Sequence, residues 1–244
     1  MFHHHVAKLI YLSKQSRPDI QTAVSYLYTR IHNSDIDDMK KLIWKIKYLQ
    51  LTQWLTLTLE SDDVLILKWW VGASYDMHNY FRIQNGSTVS LGKGFPYSKS
   101  SKQKPNRKIS TEDEIVGIDY INPKILWTRY FMEAQGYHKM DNIVNQDNQS
   151  IILLSRNRMD SSSKSTKHIN IGYLFVTDRI ANEETSVEYF PIDDMLGGLF
   201  AKPTQGSLFR NFRKLILNLW TDDLYRYDPK RSQECVESTD LLHK

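Results

Sequence analysis

Val64-Leu65-Ile66-Leu67-Lys68-Trp69-Trp70-Val71-Gly72-Ala73 decides the fold class, because it is a run of strand-forming residues broken by a single charge. A strand covered on one face would alternate apolar with polar; a nearly continuous run is what a strand buried on both faces looks like. Successive side chains leave a strand on opposite sides, so Trp69 and Trp70 cannot both point inward. One is expected under a helical layer and the other at the surface or an interface. The acidic bend Glu60-Ser61-Asp62-Asp63 precedes the run and divides the chain into a helical unit, 1–60, and an α/β unit, 61–219.

Downstream, Tyr80 to Leu91 and Phe95 to Ser101 read as two more strands joined by a Gly92-Lys93-Gly94 turn, which makes an antiparallel meander. Ser110-Thr111-Glu112-Asp113-Glu114 then opens a long helix with a capping hydroxyl and acids at its positive end. Its apolar positions run through Ile115, Ile118, Ile125 and Leu126 to Phe131; Trp127, Tyr130 and Phe131 are expected in the core, and Pro123 is expected to kink or divide it. Asn142 to Asn145 predicts a strand, Ile151 to Leu154 a helical turn, His168 to Ile180 a helix, Ser186 to Phe190 a strand, and Asp193 onward a helix. The order is βββαβααβα, and residues 220–244 form a polar tail expected to be disordered.

Upstream, apolar residues recur at helical spacing from Val6 to Tyr48, with a start signal at Asn33-Ser34-Asp35. Arg17-Pro18 breaks the pattern once, since proline keeps its predecessor out of the helical region. Among the 244 residues no run of about 18 apolar ones occurs, so no membrane partner is expected. The single Cys235 excludes an internal disulfide and a cysteine-based zinc site. His3, His4 and His5 have spacing that suits no tetrahedral ligand set. The net charge of +4 is mild, but basic residues gather at Lys99 to Lys108, Arg156 to Lys167 and Arg210 to Lys214, and together hint at an electropositive face.

Six separated motifs occur in one order: Arg17-Pro18-Asp19-Ile20 with Ala23-Val24; Tyr48-Leu49; Ser110-Thr111-Glu112-Asp113-Glu114; Gln146-Asp147-Asn148-Gln149-Ser150; Thr166-Lys167-His168-Ile169; and Lys202-Pro203. In that order and spacing the chain resembles copia-type retrotransposon Pol polyproteins from about Phe2 to Leu219. The resemblance implies a ribonuclease H-like fold, an α/β domain with a mixed five-stranded sheet and helices on both faces, preceded by a small helical reverse-transcriptase remnant. It also implies hydrolysis of the RNA strand of an RNA:DNA hybrid with two Mg2+ or Mn2+ ions, other polyprotein products as partners, and cytoplasm, a virus-like particle or the nucleus as location. No Tyr-x-Asp-Asp acid pair is present, so DNA synthesis is not expected.

Four clustered carboxylates carry that chemistry in the family, because two metal ions roughly 3.5 to 4 Å apart share them as cages. Carried over, the second and third are Glu114 and Asp147. Where the family reads Val-Asp-Ala-Ser-Tyr this chain has Val71-Gly72-Ala73-Ser74-Tyr75, and the fourth acid falls on Gly198, before Lys202-Pro203. Two of four carboxylates are therefore glycine, metal is expected to bind weakly, and the copy is expected to be a catalytically impaired pseudoenzyme. Asp194 is a candidate substitute for the fourth acid, although capping of the last helix by Asp193 or Asp194 is the favoured role. Asp76 would lie about 13 Å from Gly72 at about 3.3 Å per residue, too far to substitute. His168 is a candidate auxiliary. Lys99, Lys102, Lys104, Arg107, Lys108, Asn148, Gln149, Lys164 and Lys167 are candidate nucleic-acid contacts. The alternative from another class is a retrotransposon-derived binding or scaffold protein without catalysis.

Overall fold

A computed structural model of the chain describes residues 2–62, 65–78, 82–102, 110–137, 140–149 and 176–219. The tail at 220–244, the helical turn at Ile151 to Leu154 and most of the helix expected from His168 lie outside them; residues 176–181 are helical.

The N-terminal unit holds helices α1 (Phe2–Gln15), α2 (Gln21–Thr29) and α3 (Ile36–Leu51). Pro18 separates α1 from α2 by starting a single 3-10 turn, Pro18–Ile20. Asp35 begins α3 with a reciprocal capping box: the Asp38 amide donates to Asp35 at 2.8 Å and the Asp35 amide donates to Asp38 at 3.2 Å. Val6, Leu9, Ile20, Val24, Leu27 and Leu42 close a core of their own.

Beneath that core lies a buried polar network, which explains why Arg17-Pro18-Asp19 and Tyr48 belong together. Arg17 clamps Asp19 in a fork, Nε to Oδ1 at 2.9 Å and Nη2 to Oδ2 at 2.8 Å, and also donates to the Thr52 carbonyl at 2.9 Å. The Tyr48 hydroxyl donates to Asp19 at 2.6 Å and accepts from Arg213 at 3.1 Å. Burial, with the Asp19 charge adding to it, pushes Tyr48 up to about 12.

The α/β unit is built on strands β2 (Ile66–His78), β3 (Arg82–Ser90), β5 (Tyr97–Lys102), β6 (Asp141–Gln146) and β7 (Ser186–Tyr189). Their order across the sheet is β5-β3-β2-β6-β7. The first three are antiparallel, as the meander requires, while β6 joins β2 and β7 joins β6 in parallel. This is the mixed five-stranded sheet that the resemblance implies. Gly92-Lys93 departs from the expected simple turn: it forms a short strand, β4, paired with β1 (Glu60–Ser61) as a separate two-stranded ribbon.

Both sheet faces are covered. Helix α4 (Ser110–Ala134) packs Ile118, Ile121 and Ile125 against Trp69, Val71 and Val144. On the other face α5 (Gly197–Ala201) and α6 (Gly206–Leu217) surround Trp70 with Leu199, Phe200, Phe212 and Ile216. The tryptophans do alternate, but Trp70 is 7% exposed and Trp69 fully buried, which corrects the expectation that one would reach the surface or an interface. The reason is the second helical layer. Pro123 does not divide α4, which is helical from Ser110 to Ala134. A further correction concerns its outer side: Trp127, Tyr130 and Phe131 are 53%, 46% and 47% exposed, because the core-facing side is already filled by the isoleucines.

Candidate active site

Gly72 lies on β2 directly opposite Gly86 on β3, and Gly86 in turn faces Ser100 on β5. Across this row of small residues the short helix α5 approaches the sheet backbone to backbone. A Cβ on Gly86 would collide with the backbone of Gly197, Phe200 and Ala201. One on Gly197 would stand 3.0 Å from the Gly72 nitrogen and 3.1 Å from the Val71 carbonyl carbon. Glycine is required at 86, while at 197 a side chain would push the sheet backbone back by a few tenths of an ångström. Gly72 and Gly198 differ: a Cβ on Gly72 would meet Gly197 and Gly198 at 3.5 and 3.6 Å, and one on Gly198 would meet only Lys202 Cε, at 3.6 Å, all ordinary contacts. The two positions carried over as lost carboxylates thus stand beside each other, and both have room for a Cβ.

Two hydroxyls hold α5 in place through carbonyls at its open C-terminal end. Thr22 of α2 donates to the Leu199 carbonyl at 2.5 Å, and Ser100 of β5 donates to the Phe200 carbonyl at 2.6 Å.

Asp147 follows the last residue of β6, at the strand end the fold leads to expect. Its amide donates to Gln146 Oε1 at 3.0 Å. Burial pushes its carboxyl above the usual range, opposed by its own backbone amide and by the charge of Lys202. Lys202 is therefore near both Asp147 and Gly198, a role that the Lys202-Pro203 motif alone did not reveal. Gln146 is fully buried, and its Nε2 has no partner among the described residues, so a donor stands unused beside the site. Glu114 lies on the first turns of α4, and its side chain falls outside the described residues.

Asp194 lies in a separate exposed 3-10 turn, Ile192–Asp194, and α5 begins after Leu196 with no side-chain cap. Capping by Asp193 or Asp194 is corrected on that ground. The chain leaves the turn extended at Met195, so Asp194 is not on the helix that carries Gly198. Of the candidate nucleic-acid contacts, Lys99 and Lys102 lie on β5, Asn148 is half-buried and Gln149 exposed. Lys104, Arg107, Lys108, Lys164, Lys167 and His168 lie outside the described residues, as does the side chain of Asp76.

The described donors do not fit a two-metal cage. Asp147 is the one carboxylate among the described side chains of the site, an ammonium is its charged neighbour, and Gly72 and Gly198 offer no oxygen.

No protein-family model matches the chain. The Retrovirus-related Pol polyprotein from transposon TNT 1-94 of Nicotiana tabacum is 25% identical over 213 residues, covering 86% of this chain and 16% of that protein. The Retrovirus-related Pol polyprotein from transposon RE1 of Arabidopsis thaliana is 28% identical over 215 residues, covering 86% and 14%. The chain is similar to these transposon Pol polyproteins. The chain spans about a sixth or less of the length of the curated relatives it matches. Among solved structures it overlaps the RNase H1 of the halophilic archaeon Halobacterium salinarum NRC-1 with a TM-score of 0.36 at 11% identity, over 52% of this chain and 86% of that one. The N-terminal RNase H domain of rv2228c from Mycobacterium tuberculosis overlaps with the same score and identity, over 62% and 97%.

Proposed function

We propose that the α/β unit is a retrotransposon ribonuclease H-like domain that holds an RNA:DNA hybrid and has lost most of its ability to cut it. The observation that supports this reading is the approach of Gly72 to Gly198. Two positions far apart in sequence, each read independently as a missing carboxylate, lie within 3.6 Å of contact at the Gly72 side-chain position. In the family the first and fourth acids must converge on shared metal ions, and here what converges is two hydrogens. With Glu114 and Asp147 alone, Mg2+ or Mn2+ is held weakly, and removing even one electrostatic group from such a site commonly costs about two to three orders of magnitude in rate. The helical unit is the reverse-transcriptase remnant, acting as a brace for the domain.

The test is cleavage of a labelled RNA:DNA hybrid in magnesium and in manganese by this chain and by the double variant Gly72→Asp, Gly198→Asp. A Cβ fits at both positions, and circular dichroism checks that the variant folds. The expected result is a silent parent and a cutting variant. Cleavage by the parent at a comparable rate would sink the assignment of the lost carboxylates.

A further inference from the structure

We propose that the outer face of α4, together with Lys99 of β5, is a stacking platform for an unpaired nucleic-acid strand. Tyr120, Lys124, Trp127 and Phe131 follow helical spacing and share one face, while Ile118, Ile121 and Ile125 point to the core. Tyr120 is 48% exposed, Trp127 53% and Phe131 47%. From Tyr120 to Phe131 the stripe runs roughly 16 Å at about 1.5 Å per residue, enough for a few nucleotides.

Three observations point to a base-stacking, phosphate-bearing occupant. The rings of Trp127 and Phe131 stack on each other, with centroids 5.2 Å apart and planes 12° apart, and both stay about half-exposed, so a base can extend the stack. Two rings of the stripe carry a cation each: Lys124 Nζ is 3.6 Å from the Trp127 centroid and Lys99 Nζ is 4.1 Å from that of Tyr120. Among the described residues neither lysine is ion-paired with a carboxylate, whereas the acids beside the far end of α4 are already taken, Glu133 by Arg129 and Glu184 by Arg179. Lys124 also lies 5.4 Å from the Tyr97 ring, and partial burial lowers its affinity for a proton. A protein partner laid over these rings would bury two ammoniums without supplying the anions they need. A single strand supplies bases for the rings and phosphates for the lysines.

The platform extends the nucleic-acid reading above and rests on it for the class of polymer. It lies on the opposite helical layer from α5, so the two surfaces can be tested separately. The experiment is binding of a labelled oligothymidylate and of an RNA:DNA hybrid of the same length, by fluorescence anisotropy. The full chain is compared with Trp127→Ala/Phe131→Ala and with Lys124→Met, folding being checked by circular dichroism. Losing the ring pair is expected to weaken single-strand binding roughly ten- to hundredfold while hybrid binding changes little. Lys124→Met should reduce the slope of log K against log salt by about 0.7. Oligothymidylate binding unchanged in the ring variant, no single-strand binding by the parent, or a ring variant that instead abolishes self-association in sedimentation would each overturn the proposal. Single-strand binding through Trp127 without any hybrid binding would uphold it and refute the function proposed above.

Discussion

Gly72 and Gly86 stand opposite each other in register on β2 and β3, and one short helix lies over both. The two glycines nevertheless differ in what they require. Gly86→Ala is expected to cost about 1–3 kcal/mol, because its methyl must displace the backbone of α5. Gly72→Ala is expected to change stability by less than about 1 kcal/mol. Urea denaturation of the two variants checks this, and equal losses would contradict the packing described.

The Arg17–Asp19 fork is buried, and Tyr48 completes it. Breaking it from one side leaves the other charge uncompensated, so Asp19→Ala is expected to destabilise the protein by about 3–5 kcal/mol. Replacing both charged partners at once should cost less than the sum of the single changes. A double-mutant cycle measured by denaturant unfolding decides it.

Alkaline pH should weaken the fold through two phenols. Burial pushes Tyr97, like Tyr48, up to about 12. Unfolded tyrosines release their protons near 10, while these two hold theirs to about 12 in the folded state. The stability they contribute is therefore complete below the unfolded value and is lost as pH rises from there towards 12. Phenolate absorbance should reveal two late-titrating tyrosines, and the urea midpoint should fall over the same window.

Asp35 caps α3 and Asp194 caps nothing. Asp35→Ala is expected to lower stability by about 1 kcal/mol, and Asp194→Ala to leave it within about 0.5 kcal/mol. A loss at Asp194 as large as that at Asp35 would restore the helix-capping role that the structure removes.

Much of this architecture is written in local chemistry. Proline at 18, the capping aspartate at 35 and the apolar run into Trp69-Trp70 each act over a few residues, and each produced the element its sequence predicted. What escaped the sequence depends on neighbours distant in the chain. Whether Trp70 reaches solvent depends on α5 and α6, which arrive more than a hundred residues later. Trp127 and Phe131 read as core because an aromatic residue is apolar wherever it sits; α4 fills its inner face with isoleucines and leaves them outside. Of the site, Gly72 and Gly198 were legible as departures from a motif, but the demand for glycine at 86 was not. That demand comes from the distance between two backbones.

The hydroxyl of Thr22 on the Leu199 carbonyl ties the segment bearing Gly198 to a helix at the other end of the chain. Gln21 and Ser25 add bonds of 3.0 and 2.9 Å to the carbonyls of Ser98 and Ser100 on the edge strand. Residue 60 is thus a seam in composition but not in mechanics. A protein trimmed there would lose the splint over the edge where Gly72 meets Gly198, and limited proteolysis should then find residues 192–206 newly open to attack.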